Sequence, residues 1–194
     1  LLALVLAAGM VASMAACGNT NSSGSASADN SKDTSAAAES TDSDLAYVKD
    51  KGTLVVGITD FEPMDYQDEN GNWIGFDADL ASAFAESLGV DVEFVEIDWD
   101  NKILELDGKT IDCVWNGMTL TDEVTSSMSC TTAYCNNAQV VVVPSDVADK
   151  YQDKDSLKDL TFAVESGSAG EAQAQELGLN YTAVTAQSDA PMEV

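Results

Sequence analysis

The sequence predicts an α/β fold with a largely parallel sheet, and three observations carry that prediction. Short β-branched runs recur at 53–59, 90–97, 110–115, 139–143 and 160–164, helical patterns separate several of them, and Gly or Pro punctuates the joins. Strand and helix in alternation are what crossover-connected parallel strands require.

The elements follow in chain order. Residues 1–17, "LLALVLAAGMVASMAAC", are an apolar run trailing into small residues. The run is shorter than the roughly 20 residues a spanning helix needs, so a secretory signal is expected. "MAAC" has the form of a lipoprotein cleavage site with Met14 where Leu is usual, which makes Cys17 a candidate for lipidation. A plain signal peptide with an incidental Cys is the alternative. Residues 18–44 are Ser, Ala, Asn, Asp and Gly without a large apolar side chain, and such a stretch cannot offset its ordering entropy. As a flexible tether it would span roughly 28 Å.

"TLVVGIT" (53–59) reads as a buried strand. "YQDENGNWIGFD" carries a turn at Asn70-Gly71 and reads as a hairpin. Asp77 is expected to cap a helix whose apolar positions Leu80, Phe84 and Leu88 recur at i, i+4 and i+8, with Gly89 as its stop. "VDVEFVEI" alternates at period two, "DNKILELDG" is a short helix, and "TIDCVW" a buried strand. "TDEVTSSM" forms a turn or two of helix capped by Thr121. "QVVVVP" is expected as a further strand, a polar helical patch follows over 146–158, and "LTFAVESGSAGEAQAQELG" repeats strand, bend, helix and Gly stop. The domain boundaries expected are 45–140 for a first lobe and 141–194 for a second.

Charge and composition exclude several functions. With 34 acidic against 8 basic side chains the formal charge is −26, and nucleic acid is not an expected partner because phosphate contacts need clustered Lys and Arg. The chain has no His, which removes Ser-His-Asp catalysis and ordinary zinc sites. Cys113 reads as a small buried hydrophobe. Cys130 and Cys135 are close in sequence, and their state, free or paired, is left open.

Two segments share one form, a strand handing over through small polar residues to a helix start: "VWNGMTLTDE" and "FAVESGSAGE". In open α/β sheets ligands bind outside the carboxyl ends of strands, where helix-start amides are free and the dipole favours an anion. Each bend alone is a common turn; the pair suggests a ligand gripped between two lobes. "ESGSAGE" lacks the leading Gly of a nucleophile elbow, since Ser166 stands in its place.

From about Ala46 onward the chain resembles the bacterial extracellular solute-binding proteins of the polar amino-acid type, family 3, which serve ABC importers. "GTLVVGITDFEPM", "GNWIGFDADL", "DWDNKILELDGKTIDCVWNGMTLTDE", Tyr134, "QVVVV" and "VESGSAGEAQ" carry the resemblance. It implies a two-lobed, hinge-closing clamp of the type II periplasmic-binding-protein fold, binding one free amino acid, with no cofactor and no catalytic residue. Phe61 and Trp99 match aromatic walls of the site, Asn116, Gly117 and Thr119 match the first ligand-holding bend, and Ser168 and Ala169 match the second-lobe helix start that caps the carboxylate. Partners implied are an ABC permease and, through Cys17, the outer face of a membrane.

The pattern breaks at Val124, where the family usually has an Arg that grips the ligand carboxylate; an aliphatic side chain cannot replace a guanidinium fork. Lys102 is a candidate substitute. Glu165 is either a cation-favouring group or a solvated strand-end carboxylate. The family's second-lobe acid would fall beyond Val194, so the second lobe is expected to be incomplete in a sequence that is a piece of a longer product. The alternatives to transport are a dehydratase-like enzyme on the same clamp, since fold does not fix function, and a sensor domain.

Overall fold

A computed structural model of the chain describes residues 43–193. The expected signal segment, the lipidation at Cys17 and nearly all of the tether lie outside the described residues. The order of elements is α1 (Asp44–Lys51), β1 (Thr53–Ile58), β2 (Tyr66–Gln67), β3 (Trp73–Ile74), α2 (Phe76–Leu88), β4 (Asp91–Glu96), α3 (Lys102–Asp107), β5 (Cys113–Val114), α4 (Asp122–Ser127), β6 (Thr161–Glu165), α5 (Ala169–Glu176) and β7 (Asn180–Val184).

Two all-parallel sheets organise the chain. The first has the order β4-β1-β5, with Val56 opposite both Phe94 and Cys113. β1 is central and the most buried, as its unbroken β-branched run requires: Val56 and Ile58 are fully shielded, each contributing about 1.5–3 kcal/mol of apolar burial. The second sheet pairs β6 with β7 through α5. The hairpin forms as expected, β2 against β3, with Asp68 Oδ1 accepting from the amides of Asn70 and Asn72 to hold the turn. Asp112 locks the first sheet at its other end, accepting from the Val55 amide at 2.7 Å and from Lys51 Nζ at 2.6 Å.

Helix α2 differs from expectation in two ways. It begins at Phe76 with Gly75 as N-cap, and Asp77 is turned inward in its first turn rather than capping it. The cause is crowding: a Cβ on Gly75 would lie 2.3 Å from the Met64 carbonyl, so only Gly permits the hairpin to feed the helix there. The buried face is Ala78, Ala81 and Ala85, while Leu80 and Phe84 are largely exposed and Leu88 is half-buried. Small residues let the helix approach β1 closely, and the core of Val48, Leu54, Val56, Ile58, Ala81 and Ala85 results. Phe84 covers the Trp115 ring from outside at 5.8 Å.

"QVVVV" also departs from expectation. No strand forms there; Val140 and Val142 are 79% and 89% exposed. A β-branched run becomes a strand only when another strand takes its backbone groups, and none of the described strands pairs with it. The polar patch after it holds only short 3-10 turns at 148–150 and 155–157. Cys113 sits against the core as expected, its thiol pushed up to about 12 by burial and then by Asp112. Cys130 and Cys135 are free and exposed.

Candidate functional site

The first bend follows β5 and is anchored to the end of β1. Asn116 is buried, and its side chain is spent on Thr59: Oδ1 accepts from the Thr59 amide at 2.9 Å and Nδ2 donates to Thr59 Oγ1 at 2.7 Å. Both amide groups of the side chain are thus satisfied inside the protein, and Asn116 shapes the bend without reaching into it. Phe61, half-buried on the loop after β1, lies on Gly117, with its ring 3.2 Å from where a Cβ on that glycine would stand. Thr119 is half-buried beyond them. Its Oγ1 accepts from Asn137 Nδ2 at 2.6 Å and lies 3.4 Å from Gln139 Nε2, which leaves its own hydroxyl hydrogen to donate. Thr121 caps α4 as expected, accepting from the Val124 amide at 3.2 Å, and the Val124 side chain is buried.

The second bend is built by β6 and α5. Ser168 is the N-cap, its Oγ accepting from the Glu171 amide at 3.1 Å, while Glu171 Oε2 reaches back to the Gly167 amide at 2.7 Å. The helix-start amides of Ala169 and Gly170 precede any intrahelical acceptor. The chain turns at Gly167 with φ 68°, and a Cβ there would sit 2.7 Å from the Asp100 backbone. The bend therefore lies directly on the segment that carries Trp99.

Gln139 brings the two bends together. Its Nε2 stands at Thr119 and its Oε1 lies 3.2 Å from where a Cβ on Gly170 would stand, next to Ser168 Oγ. Gln139 thus stands between Thr119 and the start of α5, while Phe61 lies against Gly117 on the first bend. Trp99 is not an open wall in this structure: it is 6% exposed, with Lys102 Nζ over its ring at 4.9 Å. Gln139 and its neighbour Asn137 escape a sequence reading because "QVVVV" looks like the start of a strand; two amides immediately before it, between the bends, were the available signal.

Lys102 is buried and donates to the carbonyls of Trp99 at 3.1 Å and Gly167 at 2.9 Å. Burial lowers its pKa, and the charges of Glu123, Asp100 and Glu165 oppose that. With two of three donors taken and three carboxylates around it, it is poorly placed to receive a ligand carboxylate. Glu165 is buried, not solvated, with Oε1 unpartnered; burial pushes its carboxyl up to about 7 against the Gln187 amide and the Lys102 charge. A cavity of about 340 Å³ opens beside Phe61, lined by Asp60, Glu62, Tyr66, Gln67, Trp73 and Glu96. A smaller apolar cleft of about 50 Å³ lies along Gly117, Met118 and Tyr134.

Residues 54–189 match the model of the bacterial extracellular solute-binding proteins, family 3. The chain belongs to that family. It is 32% identical to the arginine-binding extracellular protein ArtP of Bacillus subtilis over 68% of its own length and 51% of that protein's. It is 31% identical to the L-cystine-binding protein TcyA of the same organism, over 94% of the chain and 60% of TcyA. Among solved structures, the ancestral amino acid-binding protein AncCDT-1, a precursor of cyclohexadienyl dehydratase, superposes with a TM-score of 0.75 at 36% identity, covering 78% of this chain and 69% of that one. The chain spans about half the length of ArtP. The α/β fold with parallel sheets is that of the type II periplasmic binding proteins.

Proposed function

We propose that this member of family 3 is the extracytoplasmic substrate-binding component of an amino-acid ABC importer, capturing one free amino acid between two lobes and passing it to the permease. The observation that supports the reading is the proximity of the two bends: Gln139 reaches from Thr119 on one strand-to-helix bend to the start of α5 on the other. In this reading residues 45–140 form the first lobe and residues from 141 onward belong to the second.

The chemistry suits a zwitterion. Phe61 supplies aromatic area and attracts an ammonium group, while Trp99, buried with Lys102 over its ring, backs the site rather than lining it. The backbone around Asn116 and Gly117 and the Thr119 hydroxyl would hold the polar end of the ligand. The α5 amides, with Ser168 and Ala169 at the helix start, would take the carboxylate. Val124 offers no guanidinium and Lys102 is engaged elsewhere, so the helix start bears more of the carboxylate than in an Arg-bearing relative. Relatives named for arginine and cystine support an amino acid as the ligand class. Lipidation at Cys17 would hold the protein at the outer face of the membrane, with 18–44 as the tether.

The test is a thermal-shift screen of the full-length protein against the common amino acids and cystine, with recovery of the ligand afterwards. A binder whose stabilisation rises with the logarithm of its concentration and that is recovered unchanged is expected. A ligand chemically altered by the protein would favour the enzyme reading that AncCDT-1's descent brings to mind.

A further inference from the structure

Behind the first bend lies a pair of carboxylates that the ligand-binding reading leaves unused. Asp65 and Asp77 are both fully shielded from solvent, and none of their four carboxylate oxygens has a hydrogen-bond partner. The backbone holds them as neighbours: Asp65 closes a two-bond bridge with Phe61, and the Asp77 amide donates to the Met64 carbonyl at 2.9 Å. An ionised carboxylate removed from water without a partner is costly, and two in one site cannot both ionise cheaply. They titrate as a unit.

The groups around them belong to the first bend and its continuation. Gly117 is close, since a Cβ built on it would lie 3.6 Å from Asp77 Oδ2. Burial raises the Asp77 carboxyl, while the Tyr134 hydroxyl, the Gly117 amide and the Trp115 indole, all facing it, pull the other way. Asp65 is pushed up to about 7 by burial and then by the Asp77 charge, with the Ala78 amide opposing. Tyr134 is raised by burial and by Asp77, with Cys135 adding to it.

We propose that Asp65 and Asp77 share one proton near neutral pH, with Asp77 as the positioning residue to which the Gly117 amide, the Trp115 indole and the Tyr134 hydroxyl are drawn. The bend at Asn116–Gly117 is then set from behind by a half-protonated acid pair. Loss of the shared proton places two charges in the core and shifts the bend. The consequence for capture rests on the amino-acid-binding reading above; the pair itself does not.

The test is an NMR titration of the full-length protein, labelled with 13C and 15N and without ligand, from pH 5 to 9. The expected result is a carboxyl transition in Asp65 or Asp77 with a midpoint above pH 6, and the Gly117 amide and Trp115 indole moving with the same midpoint. Both movements should vanish in Asp77→Asn, and in Asp65→Asn their midpoint should shift, because Asp77 then titrates without its partner. A Gly117 midpoint left unchanged in a folded Asp65→Asn variant, or a Gly117 movement that persists in folded Asp77→Asn, overturns the proposal. If the variants do not fold, the wild-type carboxyls decide: both titrating below pH 5, or a Gly117 amide that stays flat, overturns it. Because no ligand enters the experiment, this failure is distinct from a failure to bind amino acids.

Discussion

The Lys102 ammonium donates to the Gly167 carbonyl at 2.9 Å, joining groups 65 positions apart in sequence. The contact ties α3, which belongs to the first sheet, to the bend that opens α5. Asp100 packs against Gly167 at the same place, and Trp99 lies beneath the ammonium.

Lys102→Met should raise the titration midpoint of Glu165 above its value near 7, because burial is what lifts that carboxyl and the Lys102 charge is what restrains it. Carbon-13 NMR of the Glu165 carboxyl checks this. A midpoint that stays put would mean the two groups do not sense each other.

Asn116→Ala should destabilise the protein by about 2–4 kcal/mol, since it leaves the buried Thr59 amide and hydroxyl without partners. Urea denaturation measures it. The loss should appear without any ligand, because the side chain serves the fold.

Gly167→Ala should cost about 2 kcal/mol or more, combining a left-handed backbone with a clash that only a shift of the Asp100 main chain relieves. Amide exchange should quicken at Gly167 and at Trp99–Lys102 together. Gly178→Ala, also left-handed but with open space around it, should show the backbone cost alone.

Stability should fall as pH rises from about 4 to about 7. Asp65 and Glu165 both keep their protons to about 7 in the folded chain, whereas the unfolded chain releases them near 3.8 and 4.5. The folded state binds more protons in that window, so raising pH favours unfolding, and the loss is complete above pH 7. Mutual repulsion of a chain carrying −26 charges acts in the same direction. The slope that disappears in Asp65→Asn isolates the buried carboxyl's share.

Much of the fold was legible because local rules and tertiary packing agree there. β1 and β4, the Asn70-Gly71 hairpin and the cap at Thr121 lie where turn chemistry and periodicity put them. Helix α2 was misread because hydrophobicity ranks Leu80 and Phe84 above Ala81 and Ala85, while close packing on β1 selects the smaller residues. "QVVVV" was misread because strand propensity cannot say whether a pairing partner is present. In the candidate site, the family resemblance proposes Phe61, Gly117, Thr119 and Ser168, but nothing local reveals that Asn116 points at Thr59, that Lys102 reaches Gly167, or that Asp65 and Asp77 are both buried without partners. Those are relations between distant positions.

The central claim is that two bends, one on each sheet, hold one ligand in common. Titrating the labelled full-length protein with the amino acid that stabilises it most, and following the amides of Thr119 and Ala169, tests it directly. Both amides should shift along the same saturation curve, with one Kd. Movement at only one bend, or two different curves, would contradict the shared site.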